Sequence, residues 1–163
     1  MTVDPIALRK VASNFATGVT IVSTKHVGGG GCGLTVNAFA SVSLEPPLVL
    51  VSVDRGALTY PCLRAAGVFA ASFLSSGQRD LAIRFAERRE DKFDGVAFSG
   101  GVTGAPILEG SIGHVECEVE QEYAGGDHAL FLGRVVSAAA SDEGEPLVFF
   151  RRAYTTIPDT VRE

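Results

Sequence analysis

From Leu34 to Leu44 the chain alternates without a break. Leu34, Val36, Ala38, Ala40, Val42 and Leu44 fall on one side, and Thr35, Asn37, Phe39, Ser41 and Ser43 on the other. A period of two predicts a strand with two unlike faces. The second face carries hydroxyls, one amide and one aromatic ring, but no charge. Such a face suits a neutral, polar, partly buried ligand. A strand packed on another sheet, its hydroxyls bonded to backbone, would show the same pattern. Pro46-Pro47 ends the run, and the continuous apolar stretch Leu48 to Val53 (LVLVSV) predicts a buried strand. A second clear alternation runs from His114 to Tyr123. Glu116, Glu118, Glu120 and Glu122 share one face; Val115, Cys117, Val119, Gln121 and Tyr123 share the other. Four glutamates in a row repel one another on a bare face. They are expected to be solvated, with Arg134 on the return strand (His128 to Ala140) as a cationic neighbour.

The remaining segments are shorter. Asp4-Pro5 is a helix start, a capping acid followed by proline, for a helix to about Asn14. Thr17 to Thr24, Val68 to Leu74 and Pro146 to Phe150 read as strands. Thr59 is placed to cap a short helix, Tyr60 to Ala66, stopped by Gly67. Ser75 and Gln78 form a capping box ahead of a helix carrying Leu81 and Phe85. The all-charged run Glu87 to Lys92 is expected to be a solvated helix end, and Phe98 to Pro106 a loop. About seven strands joined mostly by turns, with three short helices, predict a mainly β fold. A small antiparallel barrel with flanking helices, a single domain over residues 1–163, fits best.

Composition narrows the function. Of 163 residues, 46% are hydrophobic and 20% charged, as in a well-packed globular domain. No apolar run is long enough to span a membrane, and MTVDPIALRK lacks a signal-peptide pattern, so a cytoplasmic location is expected. A net charge of -5 argues against a nucleic-acid partner. Cys32, Cys62 and Cys117 are odd in number and far apart, which argues against a disulfide framework or a zinc site. His26, His114 and His128 show no ligand spacing, so no metal is expected. Gly28, Gly30 and Gly33 satisfy G-x-G-x-x-G, with Asp54 about twenty residues on. That fingerprint requires a helix at the third glycine; the chain alternates there instead, so a dinucleotide fold is rejected. The tract VGGGGCG reads as a flexible hairpin tip.

Four segments keep a common order and spacing: FATGVTIVST (Phe15 to Thr24), GLTVNAFASVSLEPPLVLVSVDR (Gly33 to Arg55), RFAERREDKFDG (Arg84 to Gly95) and GGDHALFLGRVV (Gly125 to Val136). Together they resemble the short-chain flavin reductases with an FMN-binding split barrel, the reductase components of two-component flavin-dependent monooxygenases. The likeness runs from about Ile6 to Tyr154. It implies a homodimeric Greek-key barrel that binds FMN or FAD and oxidises NADH or NADPH. By the same resemblance, Thr35, Val36, Asn37, Ala38 and Ser41 would line the flavin ring and ribityl chain. Ser52, Val53 and Asp54 would pass under the flavin. Thr59, Phe85 and Lys92 would lie towards its phosphate or adenine end. His128, in Gly126-Asp127-His128, would sit beside the nicotinamide as the catalytic residue, with Arg151 and Tyr154 also meeting the pyridine nucleotide. The glycine-rich tip before Thr35 departs from the family pattern.

The resemblance implies hydride transfer from nicotinamide to flavin, chemistry that belongs to the cofactors. No acid–base dyad or nucleophile is then required. Reduced flavin would diffuse to a separate monooxygenase. Two other classes fit the residues: a flavin-binding module without reductase activity, and an interaction protein whose ligand site is vestigial.

Overall fold

The alternating run does not form one strand. In the computed structural model, which describes residues 2–158, it breaks at Asn37 and Ala38, and its halves go to opposite edges of one sheet. The elements in chain order are α1 (Pro5–Ala12), β1 (Thr17–Gly18), β2 (Thr20–Lys25), β3 (Gly31–Val36), β4 (Phe39–Leu44), β5 (Pro47–Asp54), α2 (Thr59–Ala66) and β6 (Val68–Phe73). A single 3-10 turn (Ser76–Gln78) leads into α3 (Arg79–Ala86). There follow β7 (Phe98–Gly100), β8 (Pro106–Leu108), β9 (Gly113–Gly125), β10 (His128–Ala140), β11 (Leu147–Phe150) and β12 (Ala153–Thr156). The main sheet has seven strands in the order β3-β2-β6-β9-β10-β5-β4, all pairs antiparallel. A three-stranded sheet, β1-β11-β12, and the hairpin β7-β8 complete the mainly β fold.

Strand pattern explains the core. On β5, Val49, Val51 and Val53 are buried while Leu48, Leu50 and Ser52 are half-buried, so only one face is fully inside. With Val22, Val36, Phe69 and Phe131 those valines form the main core. A second cluster of Ile21, Leu74, Phe85 and Leu108 lies under α3. β2 is buried along five consecutive residues because it separates the two. Gly133 is required where β10 crosses Phe69: an added Cβ would stand 2.5 Å from Phe69 Cζ.

Several boundaries differ from the sequence expectation. Asp4 does cap α1, accepting from the amides of Ile6 and Ala7, but the helix ends at Ala12. The predicted Thr17 to Thr24 strand is interrupted at Val19, and its two parts join different sheets. The Ser75–Gln78 capping box is present as predicted. The segment Phe98 to Pro106 is not wholly loop: β7 pairs with β8. β12 has too little hydrophobic pattern of its own to be seen.

The glutamate row also divides. Glu118 pairs with Arg134 at 2.5 Å, as anticipated, and Glu122 meets Arg64 at 3.0 Å. Glu116 is not solvated: it is 2% exposed. The loop after β7 covers it, and its carboxylate accepts from the Thr103 amide and hydroxyl, both at 2.9 Å. Burial pushes its pKa up, but the hydrogen bonds outweigh that, and the net shift is downward.

Candidate functional site

The site is built around Gly33 on β3. Its carbonyl accepts from Thr59 Oγ1 at 2.9 Å and from Lys92 Nζ at 3.0 Å. Lys92 also donates to the carbonyl of Phe85 at 2.9 Å. Thr35 Oγ1 donates to the Ala82 carbonyl at 2.6 Å. α2, α3 and the loop after α3 are thus all lashed to one strand. Gly33 itself lies so close to α3 that a Cβ would stand 2.8 Å from Phe85 Cε1. Phe85 is fully buried and meets Phe93 edge-on, with centroids 4.9 Å apart.

These contacts correct two expectations. Lys92 is not part of a solvated helix end. α3 stops at Ala86, and Lys92 folds back to 7% exposure, where burial pulls its pKa down. Thr59 is not the cap of α2 but its first residue; Leu58 occupies the N-cap position, and no side chain bonds the first-turn amides. The Tyr60 amide donates to the Ala57 carbonyl at 3.1 Å and Pro61 has no N–H, so the Leu58 and Thr59 amides are the ones left for an outside acceptor.

A cleft of about 380 Å³ opens beside this hub, lined by Thr35, Asp54, Leu58, Phe85, Arg88 and Lys92. Arg88 is anchored by a bond to the Gly56 carbonyl at 2.6 Å. Asp54 ends β5, where its carboxylate accepts from the Gly56 amide at 2.7 Å. Directly across the ladder from Asp54 stands His128, the first residue of β10. His128 Nδ1 lies 2.7 Å from Asp127 Oδ1, and that hydrogen bond holds the Asp127 carboxyl below the usual range. Strand register therefore joins two residues, Asp54 and His128, that the sequence suggested separately.

The flavin reductase like domain family matches residues 12–158. The chain belongs to that family. It is 39% identical over 158 residues to the flavin-dependent monooxygenase reductase subunit HsaB of Rhodococcus jostii, covering 96% of this chain and 80% of that protein. It is 42% identical over 159 residues to an NADH-dependent FAD reductase of Streptomyces globisporus, covering 91% and 86% of the two. Among solved structures it superposes on the Streptomyces globisporus NADH:FAD oxidoreductase SgcE6, in complex with NAD and FAD fragments, with a TM-score of 0.91. That match has 37% identity and covers 99% of each chain.

As a flavin reductase family member, the chain distributes the remaining predicted residues unevenly. Asn37 and Ala38 form the exposed corner between β3 and β4, and Ser52 reaches that corner through its amide, which donates to the Ala38 carbonyl at 3.1 Å. The corner borders a separate cavity of about 680 Å³ with Phe15, Thr17, Phe39 and Phe73. Thr17 Oγ1 is buried there without a hydrogen-bond partner. The Val36 and Val53 side chains lie in the core, so only their main chain can face a ligand. Ser41 is exposed on β4. Arg151 lies in the turn between β11 and β12 and Tyr154 on β12, and they line neither cavity. Arg151 donates to Asn14 Oδ1 at 2.9 Å, and its guanidinium lies 4.9 Å from the Phe150 ring centroid. Tyr154 packs on Phe149, and burial raises its phenol pKa.

The cysteines overturn the expectation of unpaired thiols. Cys32 on β3 and Cys62 on α2 form a disulfide, with Cα atoms 6.4 Å apart. Thirty residues separate them in sequence, so only the docking of α2 on β3 reveals the pair. Cys117 is free and buried, and burial pushes its thiol pKa up to about 12. Arg88, which faces the cleft from the charged run, was also not singled out by sequence reasoning.

Proposed function

We propose that this chain is an NAD(P)H-dependent flavin reductase that supplies diffusible reduced FMN or FAD to a partner monooxygenase. The observation that carries this reading is the family match over nearly the whole chain. The cleft fits the group: its volume lies within the ~300–1,000 Å³ typical of ligand sites. One end offers Arg88, Lys92 and the uncapped start of α2 for a phosphate. Two of the three Lys92 ammonium protons are taken by carbonyls, and the third is free to donate. Asp54 also lines the cleft; His128, its partner across the β5–β10 ladder, stands beside it and outside the lining.

Hydride transfer from nicotinamide to the flavin ring is chemistry that the cofactors supply when bound. The residues' part is to position them. Thr35 to Ala38, Ser41 and Ser52 to Asp54 would line the ring, the valines through their main chain. Thr59 and Phe85 would act from behind, holding β3 and α3 in place. His128, oriented by Asp127, would hold the nicotinamide or carry a proton beside it. Arg151 and Tyr154 would meet the pyridine nucleotide.

We also infer a homodimer. Ile6, Val11 and Phe15 are 77%, 70% and 77% exposed, and Leu44 is 89% exposed. Apolar surface of this extent favours a partner surface, and the cavity beside Asn37 opens next to Phe15. A cytoplasmic site of action agrees with the finding that no described helix is long and apolar enough to cross a membrane.

The test is NADH consumption by purified protein with FMN, with FAD and with neither, repeated with NADPH. Consumption that depends on added flavin is the expected result. His128→Ala should lower turnover roughly 100-fold and leave flavin affinity unchanged. Unchanged turnover would remove His128 from the site. No consumption under any condition would leave a flavin-binding module.

A further inference from the structure

The glycine tract between β2 and β3 plays no part in the flavin cleft, yet it joins two reactive side chains. His26 stands just before it and Cys32 just after it. The His26 amide donates to the Gly30 carbonyl and the Gly29 amide to the His26 carbonyl, both at 3.0 Å. The Gly28 amide donates to His26 Nδ1 at 3.0 Å. Gly29 and Gly30 have φ values of 93° and 81°, a region that favours glycine. Cys62 arrives from α2. The ligand atoms of His26, Cys32 and Cys62 all lie within 4.8 Å of one another. They line a cavity of about 450 Å³ with Glu90, Lys92 and Asp94. Both cysteines are half-buried and His26 is exposed, so the cluster is open to solutes.

We propose that in the dithiol state Cys32, Cys62 and His26 bind one soft divalent cation, with Zn²⁺ the ion the donor set fits. The disulfide is then the oxidised, metal-free state of the same site. Two thiolates and an imidazole are zinc donors. Tetrahedral bonds of about 2.3 Å to sulfur and 2.0 Å to nitrogen place donors about 3.5 Å apart. With the S–S bond broken the two sulfurs move apart to this spacing, and the His26 ring already has a nitrogen within 4.8 Å of both. The fourth position opens to the cavity, for water. In a reducing compartment such a pair is a dithiol, and closely placed cysteines there more often bind metal than form bridges.

Metal binding displaces the two thiol protons. Oxidation by hydrogen peroxide balances as follows: the two thiolates lose two electrons and form the S–S bond. The peroxide takes those electrons with two protons and becomes two waters, and Zn²⁺ departs.

The test uses the full chain, reduced with a phosphine, desalted without oxygen and titrated with Co²⁺. The expected result is one ion per chain, a thiolate-to-cobalt charge-transfer band, and loss of the band on adding Zn²⁺. The disulfide form should bind none. Cys32→Ser and Cys62→Ser should each abolish the band, and Cys117→Ser should leave it. His26→Ala keeps both cysteines and should weaken binding by about tenfold or more. No ion bound by the reduced protein, or a band that survives either serine substitution, would overturn the proposal. If the serine variants do not fold, His26→Ala decides: unchanged affinity overturns it. The assay contains neither flavin nor NADH, so its outcome is separate from that of the reductase reading.

Discussion

The two halves of the alternating run, β3 and β4, have the same residue pattern and opposite surroundings. β3 is covered: α2, α3 and the Lys92 loop bond to it, and Gly33 and Val36 are buried. β4 pairs only with β5, and Ala40, Ser41, Val42 and Leu44 are exposed. Alternation therefore reports extended backbone and two unlike faces. It does not report what lies over either face. That depends on elements 20 to 60 residues away in the chain, such as Thr59 and Lys92.

The covered half should be the sensitive one. Lys92→Met keeps the aliphatic stem and removes the ammonium, leaving the Phe85 carbonyl without that donor. The expected loss is about 2–3 kcal/mol, read as a lower urea midpoint at unchanged slope. A loss below about 0.5 kcal/mol would place Lys92 among ordinary surface residues and break the contrast. Gly33→Ala follows. Its Cβ would press on buried Phe85, whose ring is held by Phe93. Overpacking of this kind costs about 1–3 kcal/mol. The same substitution should shift α3 and weaken flavin binding, checked by fluorescence titration.

Much of this was legible in sequence, for a reason that separates the two halves again. The strands with strong local pattern, β5, β6, β9 and β10, fall within a few residues of their predicted spans, as do the Asp4 cap and the Ser75–Gln78 box. Local periodicity and capping need only neighbours. The break at Asn37-Ala38 was invisible because nothing in residue type distinguishes a corner from a continued strand there. Lys92 was misread because a charged run is usually solvated, and only the two carbonyls at Gly33 and Phe85 make its burial tolerable. The Cys32–Cys62 bridge and the Asp54–His128 pairing depend on helix docking and ladder register, neither of which spacing encodes. The uncharged face of the alternating run pointed to Thr35, Asn37 and Ser41, and resemblance supplied the other flavin residues; the cleft gathers only Thr35, Asp54, Phe85 and Lys92 of them all.

The glutamate row sharpens the same contrast at smaller cost. Glu116 is covered and Glu118 is not, though both occupy one alternating face in sequence. Glu116→Gln should cost about 1–2 kcal/mol at neutral pH, because the amide is a weaker acceptor for Thr103. Glu118→Gln should cost less than about 1 kcal/mol, its pair with Arg134 being exposed. The sign in acid follows from the lowered Glu116 pKa. The folded form binds the proton less readily than the unfolded chain, whose glutamates titrate near ~4.3. The contribution is complete above that value and is lost as pH falls through the lower folded pKa. Glu116→Gln should flatten this part of the acid unfolding curve, and a curve of unchanged steepness would return Glu116 to the solvated row.

The smallest effect on the fold is expected on the bare half, at Leu44. Its side chain is 89% exposed, so Leu44→Lys removes no core packing. Fold stability should stay within about 0.5 kcal/mol, measured under dilute conditions where any assembly has dissociated. If β4 is covered by a second copy, the same change buries an unpaired ammonium in that contact, and association should fall sharply. Light scattering at micromolar concentration would then show the monomer mass for the variant and twice that mass for the parent. A parent that is already monomeric would leave β4 bare in solution, and the contrast between the halves would mark solvent exposure alone. A dimer untouched by Leu44→Lys would place the interface on the apolar face of α1, where Ile6 and Val11 are also exposed.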